Sequence, residues 1–139
     1  MKEETVKKMA NDLIKKHLSV EAIRHFYSEN DFRPYLIYDD EQIVEYLTED
    51  WKFEISDSIE NPAETDYETA TIRMSSVFVR NVGNADVYDA LMHEIAHALC
   101  PKEGHNWIWK SICRLLGQEP TEYTLWSFPA KRNRQNNEF

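Results

Sequence analysis

The segment His93-Glu94-Ile95-Ala96-His97 constrains this chain more than any other feature of its sequence. On a helix, residues four apart lie about 40° apart around the axis and one turn along it, so both imidazoles point the same way and can grip one metal ion. Glu94, about 100° round from His93, is poorly placed as a third ligand but can reach a water held by that ion. That is the layout of metal-assisted hydrolysis. With 5 His and 16 Glu in 139 residues, chance predicts only about 0.02 matches to the pattern.

The flanking residues read as the required helix. Asn84 is a candidate cap, and Asp86 and Asp89 follow it where negative charge is favourable. The helix should end at Cys100, because Pro101 cannot continue it. Val87, Tyr88, Leu91, Ile95, Ala98 and Leu99 fall opposite the histidines and form the expected core face. Asp86 and Ala90 share the histidine face: Ala90 leaves room there, and Asp86 is a candidate outer partner of a ligand.

A catalytic zinc needs three protein ligands and one open position. His17 and His25 lie far off in the amino-terminal segment, whereas His105 follows His97 by eight residues, just past a Pro/Gly turn. His105 is therefore the best-placed third ligand. Cys100 is a softer competitor, but it sits on the core face, where a buried inert thiol is the simpler reading. Trp109, four residues after His105, can pack against the same turn.

Elsewhere the hydrophobic period changes with position. Val6, Met9, Ala10, Leu13, Ile14 and His17 predict an amphipathic helix over 3–17, and Ser19 caps a second carrying Val20, Ile23, Phe26 and Tyr27. Asn30 to Pro34 breaks the pattern, and Asp39 with Gln42 resembles a capping box opening a third helix through Leu47. Trp51, Phe53 and Ile55 then alternate as a strand, 56–68 reads as an acidic loop, and Ala70, Ile72 and Met74 predict a strand over 69–75. Asn106 caps a last helix to Leu116, with Gly117 as its left-handed stop and Trp107, Ile108, Ile112, Leu115 and Leu116 as core. The residues after Ser127 lack periodicity and are expected to form a flexible tail.

Composition excludes several classes. At 42% hydrophobic and 12% aromatic, the chain carries enough apolar material for one folded core. Its net charge of −9 argues against coating nucleic acid by bulk charge and against a membrane-surface role. The acidity is local: residues 31–70 hold 13 acidic and 2 basic side chains, a pattern expected of a solvated face. Two cysteines, Cys100 and Cys113, build neither a disulfide framework nor a four-thiolate ribbon. No signal segment or membrane span is read, so a reducing cytoplasm is the expected compartment.

Taken together, Ile72-Arg73-Met74-Ser75, Leu91 to Ala98, Gly104-His105, Trp109-Lys110 and Leu116-Gly117 resemble the SprT-like (Spartan-type) zinc metallopeptidases, small examples of which occur in bacteriophages. The resemblance spans about 45–117. It implies an α+β, zincin-like minimal metallopeptidase core: a small sheet packed on the His-Glu-x-x-His helix, plus amino-terminal helices. It also implies that His93, His97 and His105 bind Zn2+ and that Glu94 is the catalytic base. The expected organisation is a helical elaboration over 1–44, the core over 45–126 and the tail over 127–139. Spartan-type members cleave proteins covalently trapped on DNA, so the expected partners are a protein substrate and, from the resemblance alone, DNA. No membrane partner is expected, and the chain should act as a monomer.

The chain departs from the family's pattern in having Asn106 where a second glycine is usual, and in lacking paired cysteines after Gly117. The sequence does not identify a stabiliser of a developing oxyanion; Tyr123 is a candidate only as a nearby phenol, and packing of the tail is the simpler reading. Two other readings compete: a non-catalytic, zinc-stabilised binding module that uses its acidic face, and a regulatory zincin of the ImmA/IrrE kind that cuts a repressor.

Overall fold

The computed structural model describes residues 2–30, 50–101 and 103–120. The expected helix through Leu47, Tyr123 and the tail lie outside the described residues. Two helices open the chain, α1 (Lys2–Leu18) and α2 (Val20–Glu29). Three strands follow, β1 (Lys52–Ser56), β2 (Ala63–Asp66) and β3 (Thr71–Ser75). The described part ends with α3 (Ser76–Asn81), α4 (Asn84–Leu99) and α5 (Trp107–Leu115). The fold is α+β, as expected. Among the described residues, no helix is long and apolar enough to cross a membrane.

The sheet runs in the order β1-β3-β2, with β1 parallel and β2 antiparallel to β3. Its register sorts side chains onto two faces, because successive residues of a strand point to opposite sides. Phe53, Ile72 and Thr65 form one row, and Ile55, Met74 and Ala63 the next. Ile72, Met74 and Ala63 are fully buried in these rows, which face the helices. On the other face Glu54, Arg73 and Glu64 stand side by side.

β2 corrects the expectation of a loop over 56–68. No glycine or Asn-Gly pair marks the turn into β3, and hairpin signals depend on residues that accept positive φ. Here Ala70 takes that conformation (φ 51°) instead. The Asp66 carboxylate accepts from the backbone N–H groups of Glu68 and Thr69 at 3.0 and 3.3 Å, which closes the turn. The second strand is accordingly shorter than expected, starting at Thr71 rather than 69.

α1 buries Val6, Ala10, Ile14 and Leu18, one residue per turn, against α4 and β1. Ser19 caps α2 through the Ala22 N–H, and Ser75 at the end of β3 caps α3 through the Phe78 N–H. α4 spans the expected residues, but Gly83, not Asn84, is its cap and makes no side-chain cap bond. Tyr88, expected in the core, is 37% exposed; Asn84 and Ala85 at the start of α4 are exposed too, whereas Val87 beside it is fully buried. From Ala90 to Leu99 every residue is buried.

Asn106 caps α5 as expected, accepting from the Ile108 and Trp109 N–H groups. Gly117 follows with φ 82°. Its buried stripe is Ile108, Trp109, Ile112 and Cys113, about 140° wide at 100° per residue. Trp107 and Leu115 fall outside that stripe and are half exposed, at 53% and 51%, correcting their expected place in the core.

Candidate metal centre

Helix geometry places His93 and His97 one turn apart on α4. The chain then reverses through Pro101 to Asn106, where Gly104 adopts φ 62°, a conformation that costs a residue with a Cβ roughly 1–2 kcal/mol. The reversal brings His105 back over the end of the helix. The three Nε2 atoms form a near-equilateral triangle: 3.2 Å from His93 to His97, 3.1 Å from His97 to His105 and 3.2 Å from His105 to His93. Such a triangle is poor for hydrogen bonding, since an N–H aligned on one neighbour misses the other. It suits three lone pairs converging on one cation. Imidazoles holding zinc tetrahedrally at about 2.0–2.1 Å have nitrogens roughly 3.3 Å apart, so the donor set fits that ion. Among the described residues, His93, His97 and His105 form a group whose ligand atoms lie close enough together to hold a metal ion.

Trp109 floors the triangle. Fully buried, its ring centroid lies 4.6 Å from that of His93, 5.2 Å from His97 and 4.7 Å from His105, and it stacks on His97 at 20°. Its Nε1–H donates to the His93 carbonyl at 3.4 Å. The packing of Trp109 against the turn, expected from its spacing, thus extends to all three rings.

Glu94 is fully buried, yet its carboxylate is only half engaged. The Thr65 hydroxyl donates to Oε1 at 2.8 Å and lies 3.1 Å from the Glu94 carbonyl oxygen. Among the described residues Oε2 has no hydrogen-bond partner, and it stands 3.9 Å from His93 Nε2, on the side of the histidine triangle. Burial pushes the Glu94 pKa up to about 8; the Thr65 hydrogen bond opposes this, and the charge of Glu64 adds to it.

The remaining candidates separate from the site. Cys100 is buried with its thiol on the Ala96 carbonyl at 3.2 Å, and burial raises its pKa far above the usual thiol range. It is not in the histidine cluster. His17 and His25 lie on α1 and α2, outside it. Asp86 sits two turns before His93 on the same helix, about 10 Å along the axis, and is not part of the histidine group.

Thr65 and Tyr67 are the residues that sequence reasoning missed. The Tyr67 hydroxyl donates to the His97 carbonyl at 3.0 Å, so alternate residues of one segment touch α4 at Glu94 and at His97. The signal was present as a period of two: Ala63, Thr65 and Tyr67 alternate with Glu64, Asp66 and Glu68. Acidity disguised it as a solvated loop.

Two histidines and a buried carboxylate on one helix against a three-stranded sheet, with a third histidine returned over the helix end, define the class of site. The SprT-like family model matches residues 33–129, well over half of the chain. This chain belongs to the SprT-like family. No curated protein and no solved structure gives a significant match.

Proposed function

We propose that this protein is a zinc-dependent metallopeptidase with a zincin-type core, in which His93, His97 and His105 hold the zinc and Glu94 is the general base. The observation that carries the reading is the unpartnered, fully buried Glu94 Oε2 facing the triangle of imidazole nitrogens. Leaving a polar atom buried without a partner costs about 1–3 kcal/mol, so an arrangement that keeps one beside a metal-type centre has a use for it. A zinc ion bound there supplies Lewis acidity, polarising the scissile carbonyl and lowering the pKa of a water to about 7. The burial that raises the Glu94 pKa acts in the metal-free site; beside a bound cation the charged carboxylate is favoured. Glu94 Oε2 takes the proton of the attacking water and delivers it to the leaving amine, so the carboxylate ends each turnover as it began. Trp109, packed against all three imidazoles, keeps the rings oriented.

Among the described residues three nitrogen donors converge, and a tetrahedral ion held by three has one position left for water or substrate, which favours catalysis over a closed structural site. The substrates we propose are proteins, DNA-associated or DNA-crosslinked proteins among them, on the strength of family membership. One chain contributes every proposed site residue, so a monomer suffices. Two free, buried thiols fit a reducing cytoplasm.

The test joins metal analysis to cleavage of an unfolded protein and of a DNA-bound protein, each with and without single-stranded DNA. Glu94→Gln should keep stoichiometric zinc and lose at least roughly 100-fold in kcat, the lower end of a positioned base's contribution. Equal cleavage by the wild type and Glu94→Gln would end the proposal.

A further inference from the structure

We infer that Thr65 is a positioning residue for Glu94, gripping one carboxylate oxygen so that the other is left facing the histidine nitrogens. This rests on the reading of Glu94 as the base.

A glutamate side chain has three rotatable bonds, and burial alone does not choose which oxygen faces the metal ligands. Among the described residues, Thr65 is the side chain that hydrogen-bonds this carboxylate. The hydroxyl lies 2.8 Å from Oε1 and 3.1 Å from the backbone oxygen of the same residue, so it ties the side chain of Glu94 to its own turn of α4.

Thr65 is itself held from three sides. Its strand pairs with β3 in a register that sets Thr65 opposite Ile72, which is fully buried. Two residues on, Tyr67 anchors the chain to the His97 carbonyl. On the opposite face Arg73 binds the flanking Glu64 and Asp66 carboxylates at 3.4 and 2.9 Å. The threonine methyl further restricts χ1, so the hydroxyl is delivered from a fixed place on a fixed strand. The base of the proposed reaction is therefore set by an element other than the helix that carries it.

The experiment compares Thr65→Val, which keeps the shape and removes the hydroxyl, with Thr65→Ser, which keeps the hydroxyl. Thr65→Val should bind stoichiometric zinc, leave KM within roughly threefold and lower kcat by roughly 10–100-fold, the scale of a misplaced catalytic group. Thr65→Ser should restore kcat to within roughly threefold of the wild type. A second measurement needs no turnover: in the metal-free protein, Thr65→Val should lower the thermal midpoint, and in a Glu94→Ala background the same change should lower it by less than half as much. Equal kcat for the Val and Ser variants, or equal midpoint losses in both backgrounds, overturns the inference. An active Glu94→Gln would instead sink the base assignment, while the midpoint comparison would still decide whether Thr65 holds Glu94.

Discussion

Two polar clusters stand on opposite faces of β2, and they differ in what water can reach. On the helix side, Thr65 and Tyr67 meet a buried carboxylate and the backbone of α4. On the outer side, Arg73 binds Glu54 at 2.7 Å, Asp66 at 2.9 Å and Glu64 at 3.4 Å across all three strands. Every charge of the outer cluster has an opposite partner, and its side chains are 21–56% exposed, so solvent screens what the pairs leave over. The inner cluster leaves one oxygen without a hydrogen-bond partner among the described residues, on a side chain the fold buries completely. An unpartnered oxygen kept in the buried cluster points to chemistry, whereas in the exposed one a single arginine shared by three carboxylates clasps the strands together. Part of the acidic block over 31–70 thus acts as a clasp around one arginine.

The sharpest way to break the inner cluster is to remove its floor. Trp109 is 0% exposed and touches all three histidine rings. Trp109→Ala should destabilise the fold by about 3–5 kcal/mol, the cost of emptying a large aromatic site. It should also weaken zinc binding, because the rings lose the surface that aligns them. Trp109→Phe keeps much of that surface and should lose only part of each. Chemical denaturation and metal titration of both variants read the two effects. Unchanged zinc affinity in Trp109→Ala would mean that the histidines are aligned without it.

The next effect is one of pH, in the metal-free protein. Glu94 ionises near its ordinary value of 4.5 in the unfolded chain and at about 8 in the fold, because burial disfavours the charge. The unfolded chain therefore releases this proton first. The stability tied to the neutral carboxyl is fully present below about 4.5 and is lost as pH rises through about 8. Metal-free wild type should lose thermal stability between pH 5 and pH 8 by roughly 5 °C or more beyond any loss in metal-free Glu94→Gln. Parallel curves for the two proteins would show that Glu94 ionises normally and that its site is wetter than the fold suggests.

The contrast between clusters also explains what could be read without the structure. Helix α4, His105 and Trp109 follow from spacing, because a four-residue step, a Pro/Gly reversal and a second four-residue step are local geometry. Thr65 and Tyr67 reach α4 across 29 and 30 residues of sequence, and local pattern carries no information about such pairings. The strand that bears Thr65 and leads into Tyr67 was hidden because its outward residues are acids whose common partner, Arg73, lies on another strand. Ala70 concealed the turn by adopting a backbone that glycine usually supplies. Tyr88, Trp107 and Leu115 show the converse error: an apolar residue on a helix is buried only where a neighbour extends far enough to cover it.

The outer cluster gives the smallest expected effect and the cleanest contrast. Arg73→Met removes the shared cation while keeping most of the chain length that packs over β3. Exposed or half-exposed pairs contribute about 0.2–1 kcal/mol each, so the loss should be about 1 kcal/mol and should shrink as salt is raised to 1 M. It should also fade in acid. The Arg73 hydrogen bond holds the Asp66 carboxyl below its ordinary value, so that contribution is present above the usual carboxylate range and disappears as pH falls through the lowered pKa. Thr65→Val, acting on the dry face two ångström-scale contacts away, should show neither dependence on salt nor recovery in acid through Asp66. If Arg73→Met instead lowers kcat as far as Thr65→Val does, the clasp and the base are one mechanical unit, and the two faces of β2 cannot be treated as separate.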